Sequence, residues 1–154
     1  MPKLEPYILF TVADTTYGVL SDHIQQMEMI EQITRVPNVP AFVDGIVYLR
    51  GKVLPVVNLR VRFGLERIPY DLQARLIVVQ MGDRLVGMAV DSAREFVRLD
   101  SEQIQPPPPA LQAEGNRFVA GVIPHQGRLV LILNLEEILS PDEKARLTQT
   151  PTTP

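Results

Sequence analysis

Laid against itself, the chain repeats. Residues 42–59 align without a gap on residues 118–135, and Phe42, Val43, Gly45, Gly51, Asn58 and Leu59 meet identical residues at Phe118, Val119, Gly121, Gly127, Asn134 and Leu135. Most of the other pairs exchange one aliphatic residue for another. Upstream, residues 7–30 match residues 76–99, with Ile8, Asp14, Gly18 and Asp22 falling on Ile77, Asp83, Gly87 and Asp91. The spacing grows from 69 residues (Ile8 to Ile77) to 76 (Gly45 to Gly121), which puts an insertion in the second copy around Pro106–Pro109. A unit of about 65 to 75 residues closes too small a core for much stability alone, so the repeat predicts two similar barrels packed as a pseudo-symmetric pair with a groove at their seam.

The local pattern says what each unit is made of. Apolar, β-branched runs of strand length recur at Tyr7–Val12, Gly45–Leu49, Val53–Leu59, Leu76–Met81, Leu85–Val90, Phe118–Ile123 and Leu129–Leu135. Gly82-Asp83, Gln126-Gly127 and Arg50-Gly51-Lys52 punctuate them as tight turns. The fold class is therefore mostly β. Segment Asp22–Ile30 is ambiguous: Leu20, Ile24 and Met27 fit a helical face, whereas Ile24, Gln26, Glu28 and Ile30 fit one side of a strand. Pro55 donates nothing to a ladder and marks an edge or bulged strand. Asn134 before Glu137, and Ser140-Pro141 before Glu143, have N-cap spacing and predict short terminal helices. Pro106–Pro109 reads as a stiff extended connector.

One domain over residues 7–140 follows, with a first repeat at about 7–60 and a second at about 76–135; whether the lobes exchange strands stays open. A short helix is expected at 141–147 and a disordered tail at 148–154, where no apolar residue remains to anchor the chain. With 154 residues and 45% hydrophobic content there is little length for a second large domain.

Several function classes drop out. Net charge is −3 with basic residues scattered, so the footprint that grips phosphate backbones is missing and nucleic acid is not an expected partner. The chain has no cysteine, which removes disulfides, thiolate metal sites and thiol nucleophiles together. The N-terminal residues have the wrong order for a secretory signal, and apolar runs are broken well before the ~20 residues that span a bilayer. The expectation is a cytoplasmic protein without direct membrane insertion.

Catalysis needs a nucleophile, a base in reach and a group to hold developing charge. Only His23 and His125 are present. Ser21-Asp22-His23 spells a triad, but neighbours on an extended chain point apart, and His125 sits in an expected turn; both read as solvated histidines. No cluster has metal-ligand spacing, and the glycines lack the strand-to-helix context of a phosphate loop. Glu136-Glu137 and Asp142-Glu143 stand near helix starts, where they favour the macrodipole. No enzyme, metal or cofactor is expected. A partner surface remains, with strand edges and an apolar groove as its natural forms.

The repeat also sorts residues by role. Glycines and asparagines alike in both copies are expected to be structural, and polar residues found in one copy only are the better functional candidates. Leu49-Arg50 is such a place, since the second copy has His125-Gln126. Arg50 carries a fork of donors on a tight turn, suited to a carboxylate or carbonyl of another protein. Tyr48 is a candidate interface aromatic.

At these residues the chain resembles the CheW-like adaptors of bacterial chemotaxis. Their pattern, roughly Pro-x-Phe-x-x-Gly-Val-x-Asn-Leu-Arg-Gly-x-Val-x-Pro-Val-x-Asp-Leu-Arg, is met by Pro40, Phe42, Gly45, Leu49, Arg50, Gly51, Val53, Pro55, Val56, Leu59 and Arg60. Tyr17-Gly18, Ile33-Thr-Arg35 and Leu131-Ile-Leu-Asn-Leu135 extend the likeness over Tyr7–Leu139. The resemblance implies two SH3-like five-stranded β-barrels and a non-catalytic scaffold. It implies as partners the regulatory domain of a CheA-type histidine kinase, itself of related fold, and the cytoplasmic tip of a methyl-accepting chemoreceptor, with localisation at membrane-receptor arrays through those partners. It carries a role in coupling to Ile24, Gln26, Gly45 and Arg50. With Tyr48 and Leu49 these form the expected partner-binding set, and Arg50→Ala or Gly45→Asp is expected to weaken complexes while leaving the fold intact. Two departures stand out: Tyr48 replaces a common Asn, and Gln26 replaces a Glu found in some members, which removes a carboxylate. A non-flagellar chemosensory pathway, or a small-ligand or oligonucleotide-binding double barrel, are the alternative readings.

Overall fold

In the computed structural model, which describes residues 2–111 and 117–139, ten strands form two five-stranded sheets. The first copy supplies β1 (Leu4–Val12), β2 (Thr15–Leu20), β3 (Ile24–Met29), β4 (Val43–Leu49), β5 (Lys52–Asn58) and a one-turn helix α1 (Leu59–Arg62). The second supplies β6 (Arg75–Met81), β7 (Arg84–Val90), β8 (Ser92–Asp100), β9 (Val119–His125) and β10 (Arg128–Leu133). One sheet runs β8-β1-β2-β10-β9 and the other β3-β6-β7-β5-β4. Each sheet thus combines the first hairpin of one copy with the last three strands of the other. The two orders are the same once equivalent strands are matched: β1 lies antiparallel to β8 as β6 does to β3, and β2 runs parallel to β10 as β7 does to β5.

This exchange explains why β1 and β6 read as unbroken apolar runs. A strand covered on both faces needs no polar alternation. Ile8, Phe10 and Val12 of β1 join Ile77 and Val79 of β6 in a central cluster shared by both sheets. The opposite faces serve separate clusters, Tyr7 and Leu9 with Leu99, Ile123, Val130 and Ile132 under the first sheet, and Leu76 and Val78 with Val47, Leu54, Val56 and Ala89 under the second. The edge strands do alternate: β3 exposes Gln25, Met27 and Met29 and turns Ile24, Gln26 and Glu28 inward, so the ambiguous segment is a strand from Ile24 onward. Neither Thr15–Leu20 nor Ser92–Asp100 stands out as an apolar run, the latter because β8 is an edge that leaves Phe96 in solvent.

Other expectations need adjusting. Pro55 does not sit on an edge strand, since β5 is internal to its sheet; but β7 pairs only with Val56–Asn58, so at Pro55 the strand has β4 alone as a neighbour and no ladder bond is lost. The bulge lies opposite, in β4 between Val43 and Gly45. Asn134 caps a 3-10 turn, Leu135–Glu137, accepting from the Glu136 N–H. Its equivalent, Asn58, does the same for α1 by accepting from Val61 N–H. Residues 106–108 carry no regular structure, and Pro109, the last of the four prolines expected to form the extended connector, opens a 3-10 turn over Pro109–Leu111. The expected helix at 141–147 and tail at 148–154 lie outside the described residues.

Asn58 is 1% exposed, and its amide also donates to Asp44 Oδ2 at 3.1 Å. Asn58→Ala removes a cap and one of Asp44's donors together, and is expected to lower stability by about 2 kcal/mol in urea titrations.

Candidate functional site

Because β3 and β4 are the two edges of one sheet, the residues between them can face a partner without breaking the ladder. Ile30, Ile33, Val47 and Leu49 pack towards the cluster under this sheet and floor a cleft of about 580 Å³ that Glu28 and Tyr48 also line. At its mouth the β4–β5 turn places Arg50 at φ +48 and Gly51 at φ +83, the paired left-handed geometry that a two-residue hairpin requires. Arg50 is 76% exposed at its side chain and Tyr48 is 68% exposed, next to the half-exposed Val53 across the ladder. Tyr48 and Val53 form an apolar pair in water beside a cation.

Of the six expected partner-binding residues, the structure gathers Gln26, Tyr48, Leu49 and Arg50 at this end. Ile24 is elsewhere. It precedes a bulge in β3 and packs against the central cluster between the sheets. Gly45 is buried beneath residues 30–35, which cross the sheet end as a strap held by Thr34 N–H to Ile46 O (2.9 Å) and Ile46 N–H to Thr34 O (2.8 Å). A Cβ on Gly45 would lie 2.1 Å from Thr34 O, so Gly45 is covered by the strap here and Gly45→Asp is expected to disturb the fold rather than leave it intact. The second copy repeats the device, with Gln105 bonded to Val122 over Gly121.

Three polar groups frame the site. Glu28, which the strand alternation puts on one face with Gln26 but which is not among the expected site residues, accepts from Gln26 Nε2 at 3.1 Å with the same oxygen that lies 3.5 Å from Arg50 Nη2. On the far side of the strap, Asp44 accepts from Asn58, from Arg67 Nε at 2.9 Å and from the Tyr70 hydroxyl. Burial, and then the hydrogen bond to Asp44, push the Tyr70 phenol well above its usual range, so it stays a donor at any physiological pH. This hub pins the segment between the two copies to the first of them. At the seam, Arg60 grips both oxygens of Asp91 (Nε at 3.0 and 3.1 Å), and Asp91 also accepts the Ala13 N–H at 2.7 Å.

The histidines fall apart from one another. Ser21–His23 form a 3-10 turn with His23 exposed. His125 is not in a solvated turn; it ends β9 with 19% of its side chain exposed and Nε2 4.0 Å from Glu95 Oε1. Among the described residues no helix is long and apolar enough to cross a membrane.

Comparisons with known proteins converge. A family model described as the CheW-like domain matches residues 6–143. The chain is 35% identical over 138 residues to the chemotaxis protein CheW of Helicobacter pylori, covering 88% of this chain and 82% of that one. It is 30% identical over 141 residues to the chemotaxis protein CheW of Klebsiella aerogenes, covering 92% and 85%. The crystal structure of the scaffolding protein TtCheW from Thermoanaerobacter tengcongensis superposes with a TM-score of 0.83 at 28% identity, over 93% of this chain and 92% of that one.

Proposed function

The chain belongs to the CheW-like domain family and is a chemotaxis adaptor, and from that premise we propose that it couples the cytoplasmic tips of methyl-accepting chemoreceptors to the regulatory domain of a CheA-type histidine kinase. It acts as a scaffold without chemistry of its own, works in the cytoplasm, and reaches the receptor arrays through these partners. The observation that carries the reading is the open end of the first lobe. There an exposed arginine, an exposed aromatic and a cleft floored by apolar side chains sit together at strand ends. Aromatic and arginine side chains dominate the energetics of protein interfaces, and rigid presentation limits the ordering penalty. A helical hairpin with an apolar stripe suits the cleft, and the Tyr48–Val53 face suits a β-barrel of related fold.

The test is binding of purified kinase regulatory domain and receptor-tip fragment to Arg50→Ala and Tyr48→Ala. Each is expected to weaken one or both complexes about tenfold, with unchanged thermal midpoints because neither side chain is buried. Wild-type affinity in both variants for both fragments sinks the assignment of this end as the coupling surface.

A further inference from the structure

We infer that Glu28 is the positioning residue for Arg50, supplying from two places further along the strand the carboxylate that Gln26 lacks. The inference rests on Arg50 being a partner contact. Residues two apart on a strand share a face, and Gln26 and Glu28 are both turned inward while Met27 and Met29 are not. One oxygen of Glu28 receives the Gln26 amide at 3.1 Å and faces Arg50 Nη2 at 3.5 Å, so three side chains from opposite sheet edges meet on a single atom. Gln26 suits this arrangement because its amide donates to the carboxylate; a glutamate there would repel it.

The geometry separates positioning from stability. A pair this exposed adds little to folding. What it changes is the direction of a long side chain leaving a turn: with Nη2 3.5 Å from Glu28 Oε1, the guanidinium is drawn to one side and a partner meets its donors biased towards one place. The repeat supplies an internal control. In the second copy the positions of Glu28 and Arg50 are held by Val97 and Gln126, so this pair has no counterpart there, where Glu95 instead lies 4.0 Å from His125 Nε2.

Affinity for the kinase regulatory domain and the receptor-tip fragment, measured by calorimetry across a salt series, tests this in wild type, Glu28→Gln, Gln26→Glu/Glu28→Gln and Arg50→Ala. Glu28→Gln is expected to weaken the Arg50-dependent complex about fivefold without moving the thermal midpoint, and the double variant, which returns the carboxylate to position 26, to recover to within about twofold. A merely structural Glu28 would not be rescued by relocating its charge. If Arg50→Ala loses binding while Glu28→Gln binds as wild type, Glu28 is idle and the inference fails, though the coupling surface stands. If Arg50→Ala also binds as wild type, Arg50 is not a partner contact and the inference falls with its premise, while the surface itself is then judged by Tyr48→Ala.

Discussion

Gly45→Asp is expected to lower the free energy of unfolding by about 4 kcal/mol, and any loss of partner binding that it shows will track the unfolded fraction. Two penalties combine. At φ +144 the backbone occupies a region that side chains rarely adopt, and the added Cβ meets the Thr34 carbonyl oxygen at 2.1 Å. Backbone cannot step aside as a side-chain tip can, so the strap must lift, and the two bonds between Thr34 and Ile46 go with it. Gly51 is the contrast. It also has positive φ, but nothing lies within 4 Å of its Cβ position, so Gly51→Ala should cost only about 1 kcal/mol. Urea titration of both variants separates the two cases: similar small losses would show that the strap yields freely.

Asp91→Ala is expected to lower stability by about 3 kcal/mol and the thermal midpoint by about 6–12 °C. Asp91 stands where the chain passes from β7 in one sheet to β8 in the other. It receives Arg60 from α1, which follows a strand of one sheet, and the Ala13 N–H from the β1–β2 turn of the other. Removing it strands a guanidinium that is 19% exposed and frees the turn, so the loss exceeds that of a surface pair. The repeat again provides the comparison. Asp22 is the equivalent residue, is exposed, and has Glu136 where Asp91 has Arg60, so Asp22→Ala should change stability by less than about 0.5 kcal/mol. Equal effects at Asp22 and Asp91 would mean that the seam is held by apolar packing alone.

These contrasts show what can be read from residues in order. Self-comparison separates scaffold from surface because local chemistry repeats: Asn58 and Asn134 are both caps, and Gly45 and Gly121 both lie under straps. The same logic singles out Arg50 as exposed and peculiar to the first lobe. Asn58 as a cap was within reach, since Asn134 has that reading and the two align. Partners across sheet edges are not within reach in this way. The alternation of β3 says that Glu28 shares a face with Gln26, but its meeting with Arg50 depends on how β3 and β4 come to flank one sheet. Sheet membership is equally silent, because a hairpin shows the same apolar pattern whether it lies on its own copy or on the other. At Pro55, proline reports a missing neighbour correctly but not its extent, since β7 falls short of it by a single residue.

The exchanged hairpins govern how the molecule can come to be folded at all. Leu4 pairs with Asp100, so β1 emerges from synthesis long before the strand that flanks it exists, and β3 likewise waits for β6. A lone two-stranded hairpin is marginal in water, and contacts so distant along the chain close slowly. Until β10 has joined β2, the apolar faces of β1 have no complete cover. A chain halted between its copies would therefore not be half of an adaptor, because β8, which flanks β1, and β6, which flanks β3, both belong to the second copy.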